Sequence, residues 1–315
     1  MKKGLFVLFA FVCTNAFSQS GIVSTIDIAH FWTAYDSLQK ISDTTLQKRI
    51  IREMYMDKAS IGLKQFIEAR EHSPEKHLKN LQKAPAFWKS IRPATEVVIK
   101  DSAAFLLQMK RFKEIYPAFK APDIYFTIGV LNSGGTTGPS TILIGSEIGC
   151  ATAATDAHEL NKWLQNVFKD MQGVSFLVAH EMVHTQQKYG NATNLLGKCI
   201  KEGSCDFIAE LITNQKPSAP YITYGFQHQM ELWEKLQKEF DLKTNEDWLY
   251  NGNNAPNGVA DLGYFMGYVI SKSYYLNASD KKQAIKDILE LKYTNSKKLE
   301  AFMKASNYRG DLQNH

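Results

Sequence analysis

The sequence predicts an α+β fold, mostly helical, with a small β-sheet next to one helix that carries the chemistry. Three observations lead there. Apolar residues recur at helical spacing over most of the chain, beginning with Ile28, Phe31, Trp32, Tyr35 and Leu38. The texture changes at residues 123–130, DIYFTIGV, and again at 141–144, TILI, which are rich in β-branched and aromatic residues and read as strands. Soon after them comes VSFLVAHEMVHTQQKYG, residues 174–190, which reads as one helix with Gly190 as its stop.

The elements follow in order. Residues 1–18 read as a secretory signal peptide. Lys2 and Lys3 precede an apolar run, and Ala16-Phe17-Ser18 offers small residues for cleavage. The bulky Phe11 and Val12 before Cys13 fit a lipoprotein site poorly, so release to the periplasm or beyond is expected rather than lipid anchoring. Residues 19–119 form an N-terminal helical region, continued by Leu46, Ile50, Ile51 and Met54, then by Leu63, Phe66 and Ile67. Residues 120–216 form the core that holds the chemistry. There LNSGGTTGPS, 131–140, reads as a wide turn between strands. It is not a phosphate cradle, because it lacks the Gly-Lys-Ser/Thr ending and a strand follows it. Lys216-Pro217-Ser218-Ala219-Pro220 is a natural boundary, and residues 217–315 form a C-terminal helical region that completes the cleft.

The chemistry centres on His180-Glu181-Met182-Val183-His184. Residues four apart lie on one helix face, so His180 and His184 can offer two imidazoles to one zinc ion. Glu181 is placed to act as general base on a water. A catalytic zinc needs a third protein ligand. Glu202 in Glu202-Gly203-Ser204-Cys205-Asp206 is the preferred one, with Glu210 as its rival. Asp206, four residues after Glu202, can accept the free ring N–H of a ligating His. Cys205 reads as a small apolar packing residue or a further zinc ligand, but it would point away from the face bearing Glu202 and Asp206. Pairing among Cys150, Cys199 and Cys205 is open, since an odd number leaves one thiol over.

HEMVH followed by EGSCD resembles the gluzincin pattern. With the GTTG and ILIG pieces at 135–145, HEMVHTQQ, EGSCDFIAEL and DLGYFMGYVISKSYY at 261–275, the chain resembles a bacterial family of zinc-dependent proteases related to gliding-motility-associated lipoproteins. The resemblance implies a zincin-like fold, in which an edge strand before the metal helix pairs with extended peptide. The strand at 140–145 is the candidate, with a plain interior strand as the alternative reading. It also implies an oxyanion-stabilising donor after the Glu ligand; Tyr264 is preferred over Tyr268 and His228.

The expected function is that of an exported zinc metallopeptidase with one Zn²⁺, acting on a peptide or protein substrate. The alternative is a non-hydrolytic cell-envelope factor for motility or assembly that keeps a structural zinc. The 315 residues carry a net charge of +5 with Lys spread along the chain, which argues against nucleic acid as a partner. After the signal, no segment is apolar for the length of a membrane helix.

Overall fold

A computed structural model of the protein describes residues 21–313 except 101, 170–172 and 257. The expected signal segment lies outside the described residues. Four strands form one mixed sheet in the order β1-β2-β4-β3: β1 (Val23–Ser24), β2 (Asp123–Thr127), β3 (Gly135–Thr137) and β4 (Thr141–Gly145). The first three in that order are parallel, with Ile124 opposite Ile142, and β3 runs antiparallel to β4, with Thr136 opposite Leu143. Every residue of β4 is buried. A strand covered on both faces reads as an unbroken apolar run, which is what Ile142, Leu143 and Ile144 are.

This corrects one expectation. Residues 140–145 are not an edge strand; β4 is paired on both sides, and the edges are β1 and, next to β4, β3. β3 was invisible in the sequence because it is three residues inside a Gly-rich loop. Strand β2 also stops at Thr127, before Val130, for a clear reason. The Tyr55 hydroxyl donates to Ile128 O and accepts from Ile128 N–H. The buried Glu147 carboxylate accepts from the N–H groups of Gly129 and Leu131, at 2.7 and 3.1 Å. Side chains thus take the backbone groups that a longer strand would pair.

Among the described residues, six α-helices and a π-helical segment (Arg52–Met56) precede the sheet's second strand: α1 (Ile26–Leu38), α2 (Thr44–Ile51), α3 (Ile61–Arg70), α4 (Pro74–Lys83), α5 (Pro85–Lys100) and α6 (Ser102–Ile115). Nine follow β4: α7 (Ser146–Gly149), α8 (Lys162–Lys169), α9 (Val174–His184), α10 (Leu195–Thr213), α11 (Pro220–Gln227), α12 (Gln229–Glu239), α13 (Leu262–Asn277), α14 (Lys281–Leu289) and α15 (Ser296–Ser306). One buried apolar cluster runs from Ile28 to Tyr308. No helix among the described residues is long and apolar enough to cross a membrane.

Helix α9 ends at His184, not near Gly190. The Thr185 hydroxyl donates to Met182 O, and the Gln186 amide bonds both the N–H and the C=O of Lys120. These side chains replace the next helical turn with a tether to the chain entering β2. Against α9 packs α10, and across α10 lies α13. The α10–α13 crossing is a backbone contact. A Cβ on Gly203 would overlap the backbone of Tyr264 and Tyr268, and one on Gly267 would overlap the carbonyl of Cys199. Neither obstacle is a flexible side-chain tip, so the helices would have to separate. Gly267→Ala should lower stability by about 1–3 kcal/mol or more, the range for overpacking. Gly190→Ala, where a Cβ meets nothing within 4 Å, is the control. Urea unfolding of both variants checks this; equal midpoints would refute the close-crossing account.

The N-terminal layer buries two histidines. His72 and His77 lie 5.6 Å apart, ring to ring, with both nitrogens of each ring lacking a hydrogen-bond partner. Burial lowers the His77 pKa to about 3 and that of His72 to about 4. The unfolded chain therefore binds more protons than the folded one between about pH 3 and 6.5, and stability falls as the pH drops through that window. In His77→Phe, the stability relative to wild type should rise on acidification by up to about 1.4 kcal/mol per pH unit. Unfolding midpoints at pH 7, 5.5 and 4.5 test this, and a pH-independent difference would remove the assignment.

Candidate metal centre

Helix α9 presents His180 and His184 one turn apart, with ring centroids 4.9 Å from each other. Their Nε2 atoms face a single oxygen, Oε2 of Glu202 on α10, at 3.8 and 3.2 Å. Sequence positions 180, 184 and 202 are thus brought together. What makes the grouping specific is the other end of each side chain. His180 Nδ1–H donates to Asp206 Oδ1 at 2.8 Å, and Tyr221 OH donates to Asp206 Oδ2 at 2.8 Å. His184 Nδ1–H donates to Gln187 Oε1 at 2.9 Å, while Gln187 Nε2 donates to Lys201 O at 2.7 Å, which sets the amide's orientation. Tyr250 OH donates to Glu202 Oε1 at 2.7 Å. Two imidazole nitrogens and one carboxylate oxygen are left pointing at a common place, each oriented from behind. That donor set suits zinc.

The electrostatics agree. Burial alone would lower the His180 pKa, but the carboxylates of Asp206 and Glu202 outweigh it and push it up to about 10. His184 is raised too, burial being overcome by Glu202. Glu202 is held well below the ordinary carboxylate range, because the two rings more than offset its burial. A divalent cation binding here would have to displace the protons that the raised pKa values keep on the rings.

Cys205 is the one surprise among the ligand types. Contrary to the helical-face argument, its Sγ approaches the His184 ring, 3.4 Å from Nδ1 and 3.7 Å from Nε2. His180, His184 and Cys205 therefore also form a group whose ligand atoms lie within 4.8 Å of one another. Glu202 remains the better third donor. Burial first, then Glu202 and Asp206, hold the Cys205 thiol well above its usual pKa, and zinc takes a thiolate. Its sulfur also sits closer to the engaged Nδ1 than to the free Nε2, so it does not aim at the place the other donors share. Cys150, Cys199 and Cys205 are all unpaired and buried.

Glu181 lies beside a cleft of about 490 Å³, together with His180, Asp206 and Tyr264. Trp163, Phe176, Leu177 and Val259 supply apolar wall. On the other side of Glu181 runs β3. A Cβ added to Gly135 would come within 2.9 Å of Glu181 Oε1, so the glycine leaves room for the carboxylate. Tyr264 stacks on the His180 ring, with centroids 6.0 Å apart. The rivals are elsewhere engaged. Glu210 is bonded to Tyr268 OH at 2.7 Å and to Lys272 Nζ at 2.9 Å, which removes it as a ligand and removes Tyr268 as a free donor. His228 stacks on Tyr224 and pairs with Glu231. His158 pairs with Asp156 at the surface.

Sequence reasoning missed three orienting groups: Gln187, Tyr221 and Tyr250. Gln187 lies three residues past His184, a spacing that could have flagged it. Tyr221 and Tyr250 have no spacing relation to the ligands. In comparisons with protein-family models, curated proteins and solved structures, nothing matched this chain. The site stands on its own geometry.

The Gly135 contact is testable. Gly135→Ala should shift the Glu181 carboxylate and reduce any hydrolysis that depends on it, with little change in zinc content, because the three atoms nearest a Cβ there all belong to Glu181. Peptide turnover and bound metal measured on the same preparations check this. Unchanged turnover would show that the strand and the carboxylate do not depend on each other.

Proposed function

We propose that the protein is an exported zinc-dependent peptidase with a zincin-like core, and that it hydrolyses amide bonds in extended peptides. The single observation that carries this reading is Glu181. It is a carboxylate next to three convergent donors yet outside them, and it faces a cleft. A purely structural zinc has no use for a base in that position. Once bound, zinc would act as a Lewis acid on the substrate carbonyl and lower the pKa of water.

The chain's own groups supply the rest. His180, His184 and Glu202 would hold the ion; Asp206 and Gln187 accept from each Nδ1–H, which leaves each Nε2 to present its lone pair to the metal. Glu181 takes a proton as the water oxygen bonds to the carbonyl carbon, and returns it to the nitrogen as the C–N bond breaks. The proton count closes on Glu181, which ends as it began. Tyr264, at the cleft beside His180, is the residue placed to donate a hydrogen bond to the developing oxyanion. Edge strand β3 packs against α9 and has no strand paired on its other side. An extended peptide pairing there would run past Glu181, with affinity from backbone hydrogen bonds and selectivity from side-chain contacts.

Glu181→Gln keeps the shape and removes the base. Hydrolysis of a mixed peptide library should fall by about 10²-fold or more, the usual contribution of a positioned base. Zinc content should remain at one ion per chain. Turnover equal to wild type would remove the catalytic reading, and a wild type without zinc would remove the centre.

A further inference from the structure

Tyr250 is the least expected member of the centre. It lies on the loop between α12 and α13, with two-thirds of its surface exposed, so it contributes little to the core. Its φ of 59° is in the left-handed region, which a bulky aromatic residue adopts at a cost. The surroundings are built to hold it there. Tyr250 N–H donates to Asp261 Oδ1 at 2.6 Å, and Asp261 N–H donates to Asn251 Oδ1 at 2.9 Å. Asp261 is itself left-handed, with φ 65°. Two strained residues are thus locked against each other at the start and end of one loop. The polar return on that arrangement is the bond from the Tyr250 hydroxyl to Glu202 Oε1.

We propose that Tyr250 is a positioning residue for the metal centre: by occupying Glu202 Oε1, it presents Glu202 as a one-oxygen ligand aimed between the two imidazoles. This rests on the zinc reading above. It assigns a role to a loop remote in sequence from both ligand motifs. A carboxylate with both oxygens free can rotate or bind through both; with Oε1 held at 2.7 Å, only Oε2 faces the His nitrogens. Tyr250 then does for Glu202 what Asp206 does for His180 and Gln187 for His184. It acts from the solvent side, where a tyrosine can reach a buried carboxylate while its ring stays in water. The ring also meets Tyr264 edge-on, with centroids 6.2 Å apart, so the same side chain borders the residue placed at the cleft.

The test uses the full mature chain and zinc alone. Zinc affinity of wild type and Tyr250→Phe is measured by competition with a chromophoric chelator at constant pH, alongside thermal unfolding of both metal-stripped proteins. Tyr250→Phe removes only the hydroxyl. Affinity should fall about 10- to 100-fold, as it does on loss of a group that orients a ligand, with the metal-stripped unfolding midpoint unchanged. Affinity within twofold of wild type would overturn the proposal. So would a fall in the metal-stripped midpoint that accompanies the loss, because the hydroxyl would then be serving the fold. If wild type itself binds no zinc, the functional reading fails first. If wild type binds and the variant binds equally, only the role of Tyr250 fails.

Discussion

The backbones of α10 and α13 touch, and the centre depends on that contact. Gly203 and Gly267 leave no room for a side chain between the helices. Gly203 is the residue next to Glu202, so the crossing sets the height and rotation of the Glu202 carboxylate directly. Gly267 lies three residues after Tyr264, so the same crossing fixes where that ring stands against His180. Packing at backbone distance is stiff, because any adjustment must move whole helices rather than side-chain tips. A ligand set drawn from two helices needs such stiffness, since displacements well under an ångström spoil a coordination site.

A second constraint is electrostatic. Glu202 and Asp206 are both nearly enclosed, which is costly for carboxylates unless they are paired. The pairing is spread over two helices and a loop: His180 and His184 from α9, Tyr221 from α11, and Tyr250 from the loop before α13. No polar end is wasted. Each orienting bond satisfies one buried atom and turns its partner atom toward the shared place.

Much of the site could be read from local spacing. His180, Glu181 and His184 belong to one helical turn and a residue between, and Glu202 and Asp206 to one turn of another helix. Such relations are set by helix geometry alone. The reading lost accuracy where local rules met non-local partners. Helix α9 stops early because Gln186 binds Lys120, 66 positions away. Cys205 meets His184 across the α9–α10 packing, which the spacing within α10 by itself does not reveal. The edge of the sheet fell to β3 rather than β4, since strand order depends on which neighbours pair, and the apolar run TILI marks a buried strand without saying on how many sides it is bonded.

The sequence by itself determined the largely helical composition, the presence of strands on either side of a Gly-rich turn, and the pairs of chemical groups that share a helix face. All of these follow from periodicities of two and 3.6 residues, which need no knowledge of distant chain. Only the tertiary structure decided that residue 202 meets both imidazoles, that residue 210 is engaged by Tyr268 and Lys272, and that Gln187, Tyr221 and Tyr250 complete the arrangement. Those outcomes depend on the angle and distance at which helices pack. Here two glycines govern that packing, and their role becomes visible only when the facing backbone is in view.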